Sequence, residues 1–180
     1  MNCQNIEFYE TEQFQYLLIH KNASHSIIKC IESLNPVITD KINLNKVRWT
    51  VIREPYERFI AGLKYDLQRH QLNIEDIEIK SLFNSKINNF SRVKGNVNHT
   101  ASQIPYLINT HINYYVELKD LHTFLKMHFG KTEYQNIDKS NVKIDLDKNE
   151  IIKYLELDYY VYDCILNSPY LWKWQQGKIF

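Results

Sequence analysis

The chain has 180 residues, with 22 Lys and Arg against 21 Asp and Glu and a formal net charge of +1, so any anion site has to be local and no general attraction to nucleic acid or anionic lipid is expected. A 44% hydrophobic share and a length inside the roughly 100–200 residues of a common domain point to one globular domain over the whole chain, residues 1–180. No window reaches the roughly 18 apolar residues of a membrane span, the polar, acidic start lacks a secretory pattern, and Cys3, Cys30 and Cys164 are too scattered for a disulfide framework or zinc knuckle; a cytoplasmic protein with reduced cysteines is expected.

In chain order, FQYLLIH at 14–20 is a short apolar run that suits a buried strand. After KNASHS, Ile27, Ile28, Ile31 and Leu34 recur at helical spacing until Asn35-Pro36 closes the element. VRWTVIR at 47–53 reads as a second strand, and Pro55 fits the first turn of a helix whose apolar face carries Tyr56, Phe59, Ile60, Leu63 and Leu67. Strands leading into helices suggest a parallel sheet. IEDIEIKSLFNSKINNF reads as helical and the polar, basic SRVKGNVN as a loop, with no strand across 71–98.

INYYVEL at 112–118 is the third expected strand, followed by a helix marked by Leu121, Phe124, Leu125 and His128 that ends near Gly130. Residues 131–149 read as a surface excursion. Asp147 with Glu150 resembles a capping box opening a helical region to about Leu166. The tail, SPYLWKWQQGKIF, is either docked on the core or a partner contact. Tyr114, Tyr115, Tyr159, Tyr160 and Tyr162 are read as core and sheet packing, and no histidine pair has metal-ligand spacing with a third ligand nearby.

The loop KNASHS has its own physics once it joins a strand to a helix. Backbone N–H groups from Asn22 to Ser26 would face one concavity, the helix dipole would add partial positive charge, and Lys21 a full one, which makes a phosphate or sulfate cradle. A plain helix cap is the competing reading, since Ser and Asn serve readily there. The nucleotide-triphosphate signature G-x-x-x-x-G-K-[ST] is absent. Arg53 ends the second strand, so in a parallel sheet Lys21 and Arg53 both emerge at the carboxyl edge, where ligands of such folds bind. Arg58, five residues on, faces differently and reads as an exposed helix charge paired with Glu54 or Glu57.

KNASHS after an apolar strand resembles the 5′-phosphosulfate loop of sulfotransferases, PK-x-x-[GS]-TS, and VIREPYERFIAG resembles their 3′-phosphate motif, R-[DE]-P-Y-x-R-x-x-S. Order and spacing are similar to the carbohydrate-type families, including compact microbial and viral members. Weaker likenesses follow: Asn98, His99 and Gln103 to an H-x-x-x-Q segment, Glu117, Asp120 and Leu121 to E-x-x-D-L, and Leu157, Asp158 and Tyr159 to a late L-D-Y.

The resemblance implies an α/β, P-loop-like sulfotransferase fold with a three- to five-stranded, mainly parallel sheet flanked by helices. It also implies transfer of a sulfuryl group from 3′-phosphoadenylyl sulfate (PAPS) to a hydroxyl or amine, the acceptor being a carbohydrate, without a metal. On that likeness Lys21, Asn22, Ala23, Ser24, His25 and Ser26 hold the phosphosulfate, Arg53 and the position of Ala61 serve the 3′-phosphate, and Lys21 and His99 are the catalytic candidates. His20, His25 and Ala61 depart from the pattern; at Ala61 the missing serine hydroxyl removes a hydrogen bond worth about 1.5–3 kcal/mol to a charged acceptor. Glu32 and Asp40 are the only acids between the two motifs, so the base stays open, and a nucleotide-binding protein without turnover is the alternative.

Overall fold

A computed structural model describes residues 6–77, 99–100, 102–108, 110–130 and 142–180. The helix expected from 74 onward is seen only as a 3-10 turn at Ile74–Asp76; the rest of that stretch and the loop expected at 91–98 lie outside the described residues. The described residues divide into two compact units, one of 6–53, 103–108, 110–130 and 161–180, the other of 54–77, 99–100, 102 and 142–160.

The first unit is an α/β assembly on a five-stranded sheet. Its strands are β1 Phe8–Glu10, β2 Phe14–Leu17, β3 Val37–Thr39, β4 Val47–Ile52 and β5 Tyr114–Glu117, in the order β3-β1-β2-β4-β5. β2, β4 and β5 are parallel neighbours, whereas β1 runs antiparallel to both β2 and β3. The sheet is therefore mixed, not mainly parallel: two of its four pairings are antiparallel. Strands β1 and β3 were not expected from the sequence, because three residues are too few to show an alternating pattern. The Thr11 hydroxyl accepts from the Gln13 and Phe14 N–H groups and so closes the tight β1–β2 turn.

Alternation along the strands divides the apolar residues between two faces. Phe14, Tyr16, Trp49, Val51 and Val116 pack with helix α1, Ser24–Ile31, through Ile27 and Ile31, and with helix α4, Leu121–Phe129, through Leu121, Phe124 and Leu125. On the other face Leu17 and Ile52 meet Tyr106 of the short helix α3, Ile104–Leu107, and Tyr162 and Ile165 of helix α6, Glu156–Leu166, in two smaller clusters. Arg48, 5% exposed, donates to the carbonyls of Asn43, Lys46 and His111. That guanidinium locks loops at the amino ends of the strands.

Of the two readings of the tail, docking is what the structure has. Leu171 forms a parallel bridge with Tyr115, Trp172 is 1% exposed in the core, and the Phe180 ring lies 4.5 Å from that of Phe14. Tyr160, by contrast, is 67% exposed and packs no core. His128 clamps the tail: its Nδ1 donates to the Phe124 carbonyl at 2.9 Å and its Nε2 accepts from the Ile179 N–H at 3.0 Å. Burial first, then the nearby Lys178 charge, pushes its pKa below the ordinary 6.5. The neutral ring is the one that fits, so its contribution is complete above the ordinary value and lost as pH falls through the lowered one. Tail docking, read by Trp172 fluorescence, is expected to weaken on acidification below about pH 6.5, and His128→Gln, which keeps an acceptor but does not titrate, should flatten that dependence.

The second unit is built on helix α2, Pro55–His70, and helix α5, Lys148–Tyr154. The Glu54 carboxylate caps α2 by accepting from the Glu57 N–H at 2.6 Å, and Pro55 occupies the first turn as expected. Phe59, Leu63 and Leu67 pack with Ile151 and Leu155. Asp147 caps α5 through the Asn149 N–H, and the expected single helical region breaks at Leu155 into α5 and α6.

Candidate functional site

Strand β2 and the residues after it deliver the chain to a tight junction before α1. Lys21 and Ala23 both have positive φ, 66° and 62°, a conformation that costs a side-chain-bearing residue roughly 1–2 kcal/mol. What holds the junction there is Asn22, fully buried between them. Its Nδ2 donates to the Val51 carbonyl of β4 at 2.7 Å and to Gln103 Oε1 at 3.2 Å. Gln103 Nε2 in turn donates to the Arg53 carbonyl at 3.1 Å, and Arg53 Nη1 donates to the Lys21 carbonyl at 3.2 Å.

Residues far apart in the sequence thus close one ring of hydrogen bonds at the carboxyl ends of the parallel strands β2 and β4. Lys21 and Arg53, both half-buried, are brought together there as their positions after adjacent strands require. The helix that follows is left open to a ligand in two ways: Ala23 supplies no side-chain cap, and the first turn of α1 holds no acidic residue. Ser24 and Ser26 are buried and His25 is exposed. The arrangement can orient two cations and a helix N-terminus toward an anion.

Gln103, the last residue of the H-x-x-x-Q likeness, ties loop to strand through its amide. Asn22, read as one more backbone donor, acts through its side chain instead. Glu32 and Asp40, the acids between the motifs, are exposed, and Asp40 follows the outermost strand β3. Glu117, at the carboxyl end of β5, accepts from the Tyr162 hydroxyl at 2.9 Å and pairs with Lys119 at 2.6 Å.

The second unit carries the remaining candidates. Ala61 is buried in α2, and Arg58, 3% exposed, is no surface charge as the sequence reading had it. His99 is 6% exposed, and its Nδ1 lies 2.6 Å from Oδ1 of Asp66, itself 1% exposed. Asp66 carried no sequence signal, since its partner lies 33 positions away. The late L-D-Y residues act separately: Asp158 Oδ1 accepts from the Ser102 hydroxyl at 2.8 Å, the Tyr159 hydroxyl donates to Glu54, and Leu157 is 65% exposed. Burial and the Glu54 carboxylate both push the Tyr159 pKa up.

Gly62 allows the 99–100 backbone to approach α2, because a Cβ there would stand 2.1 Å from the His99 carbonyl oxygen. Gly62→Ala is therefore expected to destabilise the fold by about 1–3 kcal/mol in urea titration, the overpacking cost outweighing the ~1 kcal/mol that alanine gains as a helix former.

Among the described residues no three His, Cys, Asp or Glu side chains gather to hold a metal, and no helix is long and apolar enough to cross a membrane. No family model matches this chain, and neither a curated protein nor a solved structure does.

Proposed function

We propose that this protein is a PAPS-dependent sulfotransferase of the P-loop-like fold, acting on a hydroxyl or amine of a carbohydrate. One observation carries the reading: the ring that joins Lys21, Asn22, Arg53 and Gln103 and sets two cationic residues beside an uncapped helix N-terminus. The residues present fit a phosphate-bearing group, since the cradle holds donors and cations and no first-turn carboxylate would repel it. Cys30 and Cys164 are free thiols, in keeping with the reducing cytoplasm in which we place the reaction.

PAPS, when bound, supplies an activated sulfuryl group on a phosphate leaving group. The chain's own part is positioning and charge. The Lys21 ammonium offsets negative charge at the loop, and the backbone amides of Ala23, Ser24 and His25 hold anionic oxygens; the expected contributions of Asn22 and Ser26 fall away, because their N–H groups donate to the carbonyls of Ile19 and Ala23. The Arg53 guanidinium, anchored through Nη1 on the Lys21 carbonyl, supplies a planar cation of the kind suited to the 3′-phosphate. His99 is the base in this reading.

A second reading, nucleotide binding without turnover, is favoured by Ala61, which brings no hydroxyl, and by the burial of His99. Calorimetric titration with 3′-phosphoadenosine 5′-phosphate, beside adenosine 5′-phosphate and ATP, tests the proposal. Micromolar binding that requires the 3′-phosphate is expected; no binding, or equal binding of all three, would return the Lys21 loop to a helix cap or a general nucleotide site. Labelled-sulfate transfer then separates enzyme from binder.

A further inference from the structure

The amino ends of β4 and β5, opposite the edge that carries Lys21 and Arg53, frame an open cleft of about 500 Å3, and the residues that line it all belong to the first unit. The rings of Tyr114, Tyr170 and Pro169 give it apolar surface, while the carboxamides of Asn45 and Asn113 bring donors and acceptors. Two of these groups are held in place. Tyr170 is 55% exposed, yet its carbonyl accepts from the Tyr115 N–H at 2.8 Å and the next residue, Leu171, is bridged to the sheet. Asn113 is fastened to Arg48 in both directions: its N–H donates to the Arg48 carbonyl and its Oδ1 accepts from the Arg48 N–H, each at 2.8 Å. The second bond fixes the carboxamide and leaves Nδ2 with no hydrogen-bond partner among the described residues. Groups ordered before a ligand arrives lower the cost of binding it.

Charge selects among ligands. Lys46 also lines the cleft, but its ammonium is engaged by the Glu10 carboxylate at 2.6 Å and by the Thr11 carbonyl, so little is left to attract a phosphate or carboxylate. A wholly apolar ligand would cover the two carboxamides without satisfying them, and an anchoring peptide side chain wants a closed, desolvated pocket. A neutral sugar matches what is there, because its C–H face packs on tyrosine and its hydroxyls both donate and accept. We infer that this cleft binds a neutral oligosaccharide. Its volume lies within the roughly 300–1,000 Å3 of small-molecule sites, and its openness lets a sugar chain continue past it. The inference stands without the sulfotransferase reading: β4 runs over Val47–Ile52 at about 3.3 Å per residue, which puts the cleft about 20 Å from the cradle.

The test is ¹H–¹⁵N NMR titration of the full chain with maltotriose, cellotriose, chitotriose and N-acetyllactosamine, beside inorganic phosphate and a proline-rich peptide. At least one of these sugars is expected to shift the amides of residues 44–47, 113, 114 and 170, with a dissociation constant of about 10 mM or tighter. Tyr170→Ala should weaken that binding about tenfold and Tyr170→Phe should keep most of it; since the ring is exposed, urea unfolding should not change in either. Asn113→Asp, which keeps the acceptor for Arg48 and removes the donor, should weaken it as well. No shift at the cleft with any of the sugars, or shifts that Tyr170→Ala leaves at full strength, overturns the inference. Shifts produced by phosphate or by the peptide in place of the sugars overturn it too, and mark an anion site or a protein contact.

Discussion

Lys21→Ala is expected to abolish sulfuryl transfer, by about 10³-fold or more if the ammonium acts on the departing phosphate as a preorganised charge does elsewhere. The fold should hardly notice. Arg53 Nη1 is anchored on the Lys21 backbone carbonyl and Asn22 on Val51 and Gln103, contacts that alanine leaves in place, and alanine adopts the positive φ at no greater cost than lysine. Unfolding free energy should stay within about 1 kcal/mol of the wild type, and Lys21→Arg should keep part of the activity by keeping the charge. Labelled-sulfate transfer measured beside urea titration decides it. Full turnover in Lys21→Ala would remove the residue from the mechanism.

Trp49→Ala is expected to cost about 3–5 kcal/mol, the range for truncating a large core aromatic. Trp49 is fully buried at the middle of β4, and its ring centroid lies 4.7 Å from both Tyr16 and Phe124 and 6.4 Å from Phe180. Its Nε1 has no hydrogen-bond partner among the described residues, so the loss is packing and cavity rather than a broken polar contact. Against a typical total of about 5–15 kcal/mol, that is about a fifth of the stability or more. Trp49→Phe, which keeps an aromatic ring, should recover most of it; a change below about 1 kcal/mol in Trp49→Ala by urea titration would mean that the shared aromatic core is not what holds the sheet to α4.

The central strands and the helices after them could be read from the sequence because β2, β4 and α2 carry their burial pattern in consecutive residues. The edge strands could not: β1 and β3 have three residues each, and their pairing is settled by the Thr11 turn and by contacts with distant chain. The same division runs through the site. Lys21 and Arg53 were legible as cations at the ends of adjacent parallel strands. The parts that hold them, the Asn22 side chain on Val51 and the Gln103 amide across 81 positions, were not, because no local spacing encodes a contact made by tertiary folding. Asp66 was missed for the same reason, while Arg58 misled because a helical register does not say which face the rest of the chain will cover.

The docked tail also decides which edge of this sheet is open to another strand. Residues 170–172 line the outer side of β5 through bonds to Tyr115, which leaves β3, with Val37 and Ile38 exposed, as the open edge among the described strands. An exposed edge offers unpaired N–H and C=O groups to any other strand, and covering it removes that template. Residues 170–172 thus shield one edge of the sheet from strand pairing while Trp172 completes the core beneath it, so a single stretch of chain serves both protection and packing.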